Sequence, residues 1–512
     1  MFKGTLHPYQ EPAVDLVVDQ KTVLVSYDMG LGKTIIAIAA AEMTTGTTLV
    51  VCTASLKGQW QSAVHQFTNS TAMIIDGSPA KRAELYQDYH RFDYVIVNYD
   101  LVWRDIKILK DLSFRTIILD EATAIKNPRS KRTKAVRKLK AESKVALTGT
   151  PIENGKLDEM YQIMKYINPH ILGDFRLFDD TFVVRDHWGS VKKYRNMDLF
   201  HKTMKPWCIR KAQTDPDVAS FLPELLVVPP LTVTFDNKTK KLYRHIVAEI
   251  LSTMTQLTGT SSFSLESLYG MGSSARDIND PVKGAIMSQM LCLKMLCVNP
   301  DLIRASAHKF SDIHIIGGSK YARNLVDDGL LNGVTAQPKL DAVGQRVNDV
   351  LESDPRNKVI IFSRFVDNLY ALSSIVGDER SVIYSGKLNS IEKDQAKVLF
   401  NSDPECRVFI SSDAGGYGVD LPAANMLINF DAAATPGAKK QRDNRHNRVS
   451  SLWKTIITQD AYVLGSIEEW EHSKLTLKQT VSDAAVDGKL SADGAINMSM
   501  SSLSTFLRES TI

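Results

Sequence analysis

At 512 residues the chain exceeds the length at which one hydrophobic core keeps growing, which excludes a single small domain and predicts two or more. Hydrophobic residues at 44% and charged residues at 23% are ordinary for a soluble globular protein, and 62 basic against 58 acidic residues leave a net charge of +4 that permits a nucleic-acid partner without arguing for one. Scattered cysteines at 52, 208, 292, 297 and 406 exclude a disulfide framework and a zinc spacing, MFKGTLHPYQEPAV has no apolar signal core, and no run is expected to approach the roughly 18 residues of a membrane span, so an intracellular, membrane-free monomer is expected.

The first feature in chain order is Leu6-His7-Pro8-Tyr9-Gln10, where the Gln10 amide offers a donor and an acceptor together, the pattern that an adenine edge requires. Val23 to Val25 reads as a short buried strand and Thr34 to Ala41 as a helix packed on a sheet. Between them lies Asp28-Met29-Gly30-Leu31-Gly32-Lys33-Thr34, the ending of a phosphate-cradling loop. Gly30 and Gly32 reach backbone angles closed to other residues, so successive N–H groups can turn inward on a polyphosphate. Lys33 then reaches the β/γ-phosphates, Thr34 ligates Mg²⁺, and the helix N-terminus adds partial positive charge. The strict signature has Gly five residues before Gly32, where this chain has Tyr27.

Strands and helices then alternate, which predicts a parallel sheet covered on both faces. Thr48 to Cys52 is a strand ending in Thr53-Ala54-Ser55-Leu56, followed by a helix with Trp60, Val64 and Phe67 on one face; Tyr94 to Asn98 is another, leading to Tyr99. Thr116 to Leu119 runs into Asp120-Glu121, two carboxylates at the edge where open α/β sheets bind ligands. Asp120 suits Mg²⁺ held through its water shell, and Glu121 suits orienting and deprotonating an attacking water. The basic run from Lys126 to Lys140 carries an apolar stripe at Ala135, Val136 and Leu139 and reads as a solvated helix face. Val145 to Leu147 leads into Thr148-Gly149-Thr150, a hydroxyl-rich strand-end loop suited to sensing the nucleotide on one side and bonding a nucleic-acid phosphate on the other.

DMGLGKT, LDEATAIKN and LTGTPIEN, in that order and spacing, resemble the motifs of superfamily II nucleic-acid motors of the Swi/Snf ATPase type. The resemblance implies an α/β fold of two RecA-like parallel-sheet lobes in tandem, a helical protrusion on the second, and ATP with Mg²⁺ in the cleft between. It continues through Lys358 to Arg364, Tyr384-Ser385-Gly386, the glycine-rich stretch Ile410 to Leu421, Gln441 to Arg448 and Ile467-Glu468-Glu469. By that resemblance Gln441, Arg445 and Arg448 join Lys33, Asp120 and Glu121 as catalytic residues, the two arginines standing at the family's finger positions. Such a finger contributes about 10³ to 10⁵ in rate in related NTPases. Gly418 and Asp420 join the nucleotide contacts, and DNA contacts fall on Thr53, Ser55, Leu56, Tyr99, Thr148, Gly149, Thr150, Ser363, Arg364, Ser412, Gly415 and Gly416. Thr123 stands where the family usually has His, and Ala434-Thr435 where it has Trp-Asn.

The expected layout is lobe one at residues 1–205, a hinge at 206–235 stiffened by Pro229-Pro230, the protrusion at 236–335, lobe two at 336–475, and a tail at 476–512 that is either disordered or forms a short docking helix through Leu503, Phe506 and Leu507. Thr258 to Asn279, rich in Ser and Gly, reads as a mobile loop. The expected activity is an ATP-dependent double-stranded DNA translocase or remodelling motor with DNA-stimulated hydrolysis, acting on duplex or branched DNA and targeted by a separate protein partner. A strand-separating or branch-migrating helicase, and a catalytically silent scaffold, are the rival readings. The compact architecture suggests a bacterial or phage-infected cytoplasm, or the nucleus in a eukaryote.

Overall fold

The computed structural model describes residues 1–152, 156–185, 191–255, 281–312, 314, 317–413, 419–486, 500–510 and 512. The expected mobile loop at 258–279 and the expected contacts Gly415, Gly416 and Gly418 lie outside them. Sixteen strands are described: β1 Thr22–Tyr27, β2 Thr48–Cys52, β3 Ala72–Ile74, β4 Tyr94–Asn98, β5 Phe114–Asp120, β6 Ala141–Leu147, β7 Val183–Arg185, β8 Val191–Tyr194, β9 Cys208–Lys211, β10 Glu224–Val227, β11 Leu231–Val233, β12 Val359–Phe362, β13 Ser381–Tyr384, β14 Val408–Ser411, β15 Met426–Asn429 and β16 Thr455–Val463.

Lobe one is a wholly parallel sheet in the order β3-β4-β2-β5-β6-β1-β9. Its central strands are buried on both faces, which is why they read as unbroken apolar runs. Successive residues feed opposite cores: Leu24, Val51 and Leu119 enter one cluster, Val23, Val25, Val50 and Ile118 the other. Lobe two repeats the plan in the order β10-β16-β15-β12-β14-β13, with β11 also on β16. Here Val359, Ile361 and Ile410 face one core, and Ile360, Phe362 and Phe409 the other.

The expected hinge at 206–235 is corrected. Strand β9 pairs in parallel with β1 and completes lobe one, so that lobe runs past residue 205. Strands β10 and β11 both pair with β16 and belong to lobe two. Pro229 and Pro230 are therefore a break within an edge strand rather than a free connector: proline has no N–H to add to a ladder, and the pairing register slips by one residue there. Only the stretch from Ala212 to Pro223 joins the lobes, and Val218 within it is buried in a lobe-one core.

The protrusion is built from helices Asn237–Thr255, Pro281–Val298, Asp301–Ser311 and Lys320–Asp327, packed through Ile246, Leu293, Ile303 and Leu325. The expectation that no run approaches a membrane span is corrected, since Pro281–Val298 is long and apolar enough by length and composition. It buries Ile286, Cys292, Leu293 and Cys297 among the protrusion's helices, and its Lys294 pairs with Glu471 at 2.7 Å. The tail boundary also moves. Helix Ile467–Val486 runs through residue 476, and helix Met500–Glu509 packs on the protrusion with Leu503 and Leu507 buried, so the docking-helix alternative describes this segment.

One ion pair ties these parts together. Lys339, on helix Pro338–Ser353, meets Glu468 at 2.5 Å with both side chains buried, and its ammonium sits 4.6 Å from the Phe430 ring centre. Burial pushes the Glu468 carboxyl up to about 7, with Lys339 opposing. Because the folded value is raised, the stability this acid contributes is full below its unfolded pKa and is lost as pH rises through about 7. Lys339→Met leaves Glu468 buried without its cation. It is expected to lower the urea-unfolding stability of lobe two by about 3 kcal/mol at pH 8, and by clearly less at pH 5.5 where Glu468 is protonated.

Candidate active site

The phosphate loop leaves the C-terminal end of β1 and enters helix Lys33–Glu42. Gly30 and Gly32 both lie in the left-handed region, at φ 78° and 76°, which is why glycine is needed at these positions. A β-carbon on Gly32 would sit 2.3 Å from Gln10 Nε2. Gln10 accepts from His7 N at 2.9 Å and donates to Leu31 O at 3.0 Å, which bolts the N-terminal turn to the loop. An amide has two donors and two lone pairs, so one of each remains for a base edge. Lys33 Nζ donates to the carbonyls of Tyr27 and Asp28 at 2.9 and 3.1 Å. Burial draws its pKa below the lysine range, opposed by the nearby Glu121 and Asp120 carboxylates.

Strand β5 delivers Asp120 to the same edge. Its carboxylate accepts from the Trp60 indole N–H at 2.8 Å and from Glu121 N at 3.0 Å, while its backbone carbonyl accepts from the Tyr99 hydroxyl at 2.8 Å. Burial nevertheless raises the Asp120 pKa, with Trp60 and Lys33 opposing. Glu121 is a non-glycine residue at φ 50°, ψ 57°. A backbone in that region costs on the order of 1–3 kcal/mol and persists where its surroundings hold it; the Glu121 N–H to Asp120 and the Ala124 N–H to Glu121 O at 2.9 Å do so.

Lobe two closes the cleft. Gln441 is on helix Pro436–Asp443, and Arg445 and Arg448 follow on the turn after it. Arg445 donates to Val419 O at 3.2 Å; Arg448 donates to Asn444 O at 3.1 Å and pairs with Asp420 at 2.8 Å. Burial, then the charge of Arg448, holds the Arg445 guanidinium down to about 10. A single cavity of ≈ 590 Å³ is lined by Gln10, Gly30, Gly32, Lys33, Thr34, Trp60, Asp120 and Glu121 from lobe one and by Asp420, Gln441, Arg445 and Arg448 from lobe two.

Four expected nucleotide contacts have other duties. The Asp28 carboxylate is committed to Arg210 at 2.7 Å and Lys440 at 2.9 Å. Asp420 lines the cavity as the counter-ion of Arg448 rather than as a contact for a phosphate, which its charge would repel. The Leu31 side chain is buried in the core behind the loop. Met29 is wedged between Gly149, where a β-carbon would lie 3.2 Å from its sulfur, and Asn444, whose amide approaches that sulfur at 3.7 Å.

Most of the expected DNA contacts have partners within the protein. Tyr99 is buried with its hydroxyl on Asp120, and Leu56 is buried facing the nucleotide cavity. Thr148 and Thr150 are buried and bonded to each other at 3.2 Å, and Gly149 lies under Met29. The buried Ser363 hydroxyl donates to Asp431 at 2.7 Å, and Ser412 is buried beside Tyr384, to whose carbonyl its N–H donates. Thr53, Ser55 and Arg364 are the members of the set that reach the surface among the described residues.

Two site residues carried no distinct signal. The N–H of Trp60 hides in the apolar stripe it shares with Val64, which looks like packing alone. Arg442 is fully buried, held by Asp413 at 2.5 Å and 2.8 Å and by the Asp431 carbonyl at 2.7 Å, so it ties the root of the glycine-rich stretch to the arginine-bearing segment. Its position inside QRDNRHNR was the available clue.

Comparison with known proteins gives two family matches: the SNF2-related domain over residues 9–291 and the helicase conserved C-terminal domain over residues 342–450. YwqA of Bacillus subtilis, provisionally named an ATP-dependent helicase/translocase, is 26% identical over 95% of this chain and 49% of its own length. The ISWI chromatin-remodeling complex ATPase ISW1 of Saccharomyces cerevisiae is 26% identical over 93% of this chain and 40% of its own. The chain thus spans about half or less of the curated relatives it matches. The solved Sulfolobus solfataricus SWI2/SNF2 ATPase core in complex with dsDNA aligns over 96% of both chains at 23% identity and a TM-score of 0.43. With the SNF2-related match covering more than half its length and the helicase C-terminal match falling on the second lobe, this chain belongs to the SNF2-related family.

Proposed function

We propose that the chain is an ATP-hydrolysing motor that translocates on, or remodels proteins bound to, double-stranded DNA. The observation that carries the reading is the single cavity in which Lys33, Asp120 and Glu121 of one lobe face Gln441, Arg445 and Arg448 of the other. In this reading Lys33 leaves the Tyr27 and Asp28 carbonyls for the β/γ-phosphate oxygens of ATP, a stronger, charge-assisted partner. Glu121 takes the proton of the attacking water, and Arg445 and Arg448 neutralise charge on the transferring phosphoryl group. The hard oxygen donors of Thr34 and Asp120 fit Mg²⁺ held partly through waters, and that ion would supply positive charge to the substrate phosphates. The DNA part of the reading is supported by relatives named as a helicase/translocase and a chromatin-remodelling ATPase, and by surface hydroxyls and a cation at strand ends, Thr53, Ser55 and Arg364. Such contacts grip phosphates without reading sequence.

ATPase rates measured with duplex, single-stranded and forked DNA and with RNA test the reading. Duplex DNA is expected to stimulate hydrolysis, with the stimulation falling steeply as salt rises because counterions compete for the phosphates; rates indifferent to DNA would remove the motor function. Displacement of a labelled strand from a fork would favour the helicase reading instead.

Lys33→Ala is expected to abolish turnover. Glu121→Gln is expected to lower it by at least about 10² while a fluorescent nucleotide still binds, and normal turnover in this variant would refute the role of Glu121.

Gly32→Ala forces a β-carbon into Gln10 from a left-handed backbone, and is expected to weaken nucleotide binding about tenfold, ~1.4 kcal/mol. Gly58→Ala, which enters open space on helix Lys57–Phe67, is the control expected to leave binding unchanged in the same fluorescence titration.

A further inference from the structure

The phosphate loop is itself a contact between the lobes. Three successive residues touch lobe two. The Asp28 carboxylate pairs with Lys440 Nζ at 2.9 Å, Met29 Sδ is met by the Asn444 amide at 3.7 Å, and a β-carbon on Gly30 would lie 2.8 Å from Asn447 O and 3.1 Å from Arg448 Cδ. Gln213, in the segment joining the lobes, completes the seam. It accepts from Asn447 Nδ2 at 3.0 Å and donates to Met29 O at 2.9 Å.

Asp28 occupies a variable position of the phosphate-loop signature, and its surroundings give it a cation on each lobe. Its backbone lies outside the left-handed region, so a β-carbon is tolerated there. Its side chain is 5% exposed and already neutralised from its own lobe by Arg210 at 2.7 Å. The second cation comes across the cleft, on a Lys440 side chain that is 16% exposed. Burial alone would raise the Asp28 pKa, but Lys440 and Arg210 outweigh it and hold the carboxyl below its ordinary range. A carboxylate that stays charged in so dry a place interacts far more strongly with its partner than an exposed pair does.

Lys440 is also well placed to transmit what it feels. On the same helix Lys439 is held by Asp443 and Asp460 at 3.1 and 2.9 Å, and Arg442 is held by Asp413. The helix is therefore pinned to lobe two through both of Lys440's charged neighbours, and Gln441 between them faces the nucleotide cavity.

We propose that Lys440 is a positioning residue whose ion pair with Asp28 latches the lobes together at the phosphate loop and thereby sets how often Arg445 and Arg448 meet the nucleotide. Its catalytic consequence rests on the ATP-hydrolysis reading; the latch itself does not.

Small-angle scattering of the nucleotide-free protein, alongside ATPase kinetics and equilibrium ADP binding, tests both. Lys440→Met keeps the aliphatic stem and removes the charge. It is expected to enlarge the radius of gyration and lower kcat about tenfold while ADP affinity, which depends on the lobe-one loop, changes less than about threefold. Lys440→Arg is expected to restore both size and kcat. Gln213→Ala, which removes the neutral part of the seam, is expected to open the particle in the same direction by less. An enlarged Lys440→Met particle in a protein that proves to have no ATPase activity would uphold the latch and overturn the hydrolysis reading. A Lys440→Met protein of wild-type size and turnover would overturn the latch and leave that reading intact. Parallel loss of kcat and ADP affinity without rescue by arginine would overturn it too, since that is the pattern of local packing damage.

Discussion

Two guanidiniums three residues apart, Arg445 buried and Arg448 lining the same cavity, are the constraint around which the cleft is arranged. Burial and the charge of Arg448 depress the Arg445 guanidinium, and protein groups answer only part of the pair's demand: a carbonyl for Arg445, a carbonyl and Asp420 for Arg448. Across the gap, Lys33 sits with its ammonium on two carbonyls while two carboxylates lie near. Such an arrangement is suited to a polyanion, because a triphosphate satisfies cations from both sides at once. Neither lobe alone assembles this set, so the site exists only to the extent that the lobes meet.

The same electrostatic logic extends outward from the site. The helix Pro436–Asp443 carries Lys439, Lys440 and Arg442, and each is answered by a carboxylate from a different place: strand β16, the phosphate loop, and the segment after β14. Asp431 gathers Arg442, the Ser363 hydroxyl and the Arg364 backbone at one point beyond β15. Bonds of this kind are directional and short, and so they pass a displacement on rather than absorbing it. The elements that the resemblance associates with nucleotide and with DNA are in this way joined by a few charge-assisted contacts rather than by loose apolar packing.

How much of this was legible in the sequence divides along physical lines. The phosphate loop and the strand-end acids were legible because their chemistry requires particular residue types at particular spacings, the alternating apolar runs predicted a parallel sheet, and the two arginines and the second lobe came from the family resemblance. Burial was much less so. Thr148, Ser363 and Tyr99 stand at strand ends, the right edge for ligands, but the sequence does not say which way a strand-end side chain turns, and these turn inward to partners on other elements. Long-range pairs such as Asp28 with Lys440 or Trp60 with Asp120 join residues whose local patterns say nothing of each other. The lobe boundary was misplaced for a related reason: the four residues of β9 are too few to announce a strand until β1 is seen beside them.

The proline break at the rim of the second sheet has one more effect. Strand β10 leaves Leu225, Leu226 and Val227 facing solvent on an outer edge, the kind of apolar border on which a foreign chain could add itself and begin aggregation. Pro229 and Pro230 interrupt that border after four residues, offering no amide hydrogens where an added strand would seek them, and the Gln459 side chain already occupies the Pro229 carbonyl at 2.9 Å. A greasy rim is thus kept too short to recruit its own kind, which lets the chain carry it at the high local concentrations of a crowded cell.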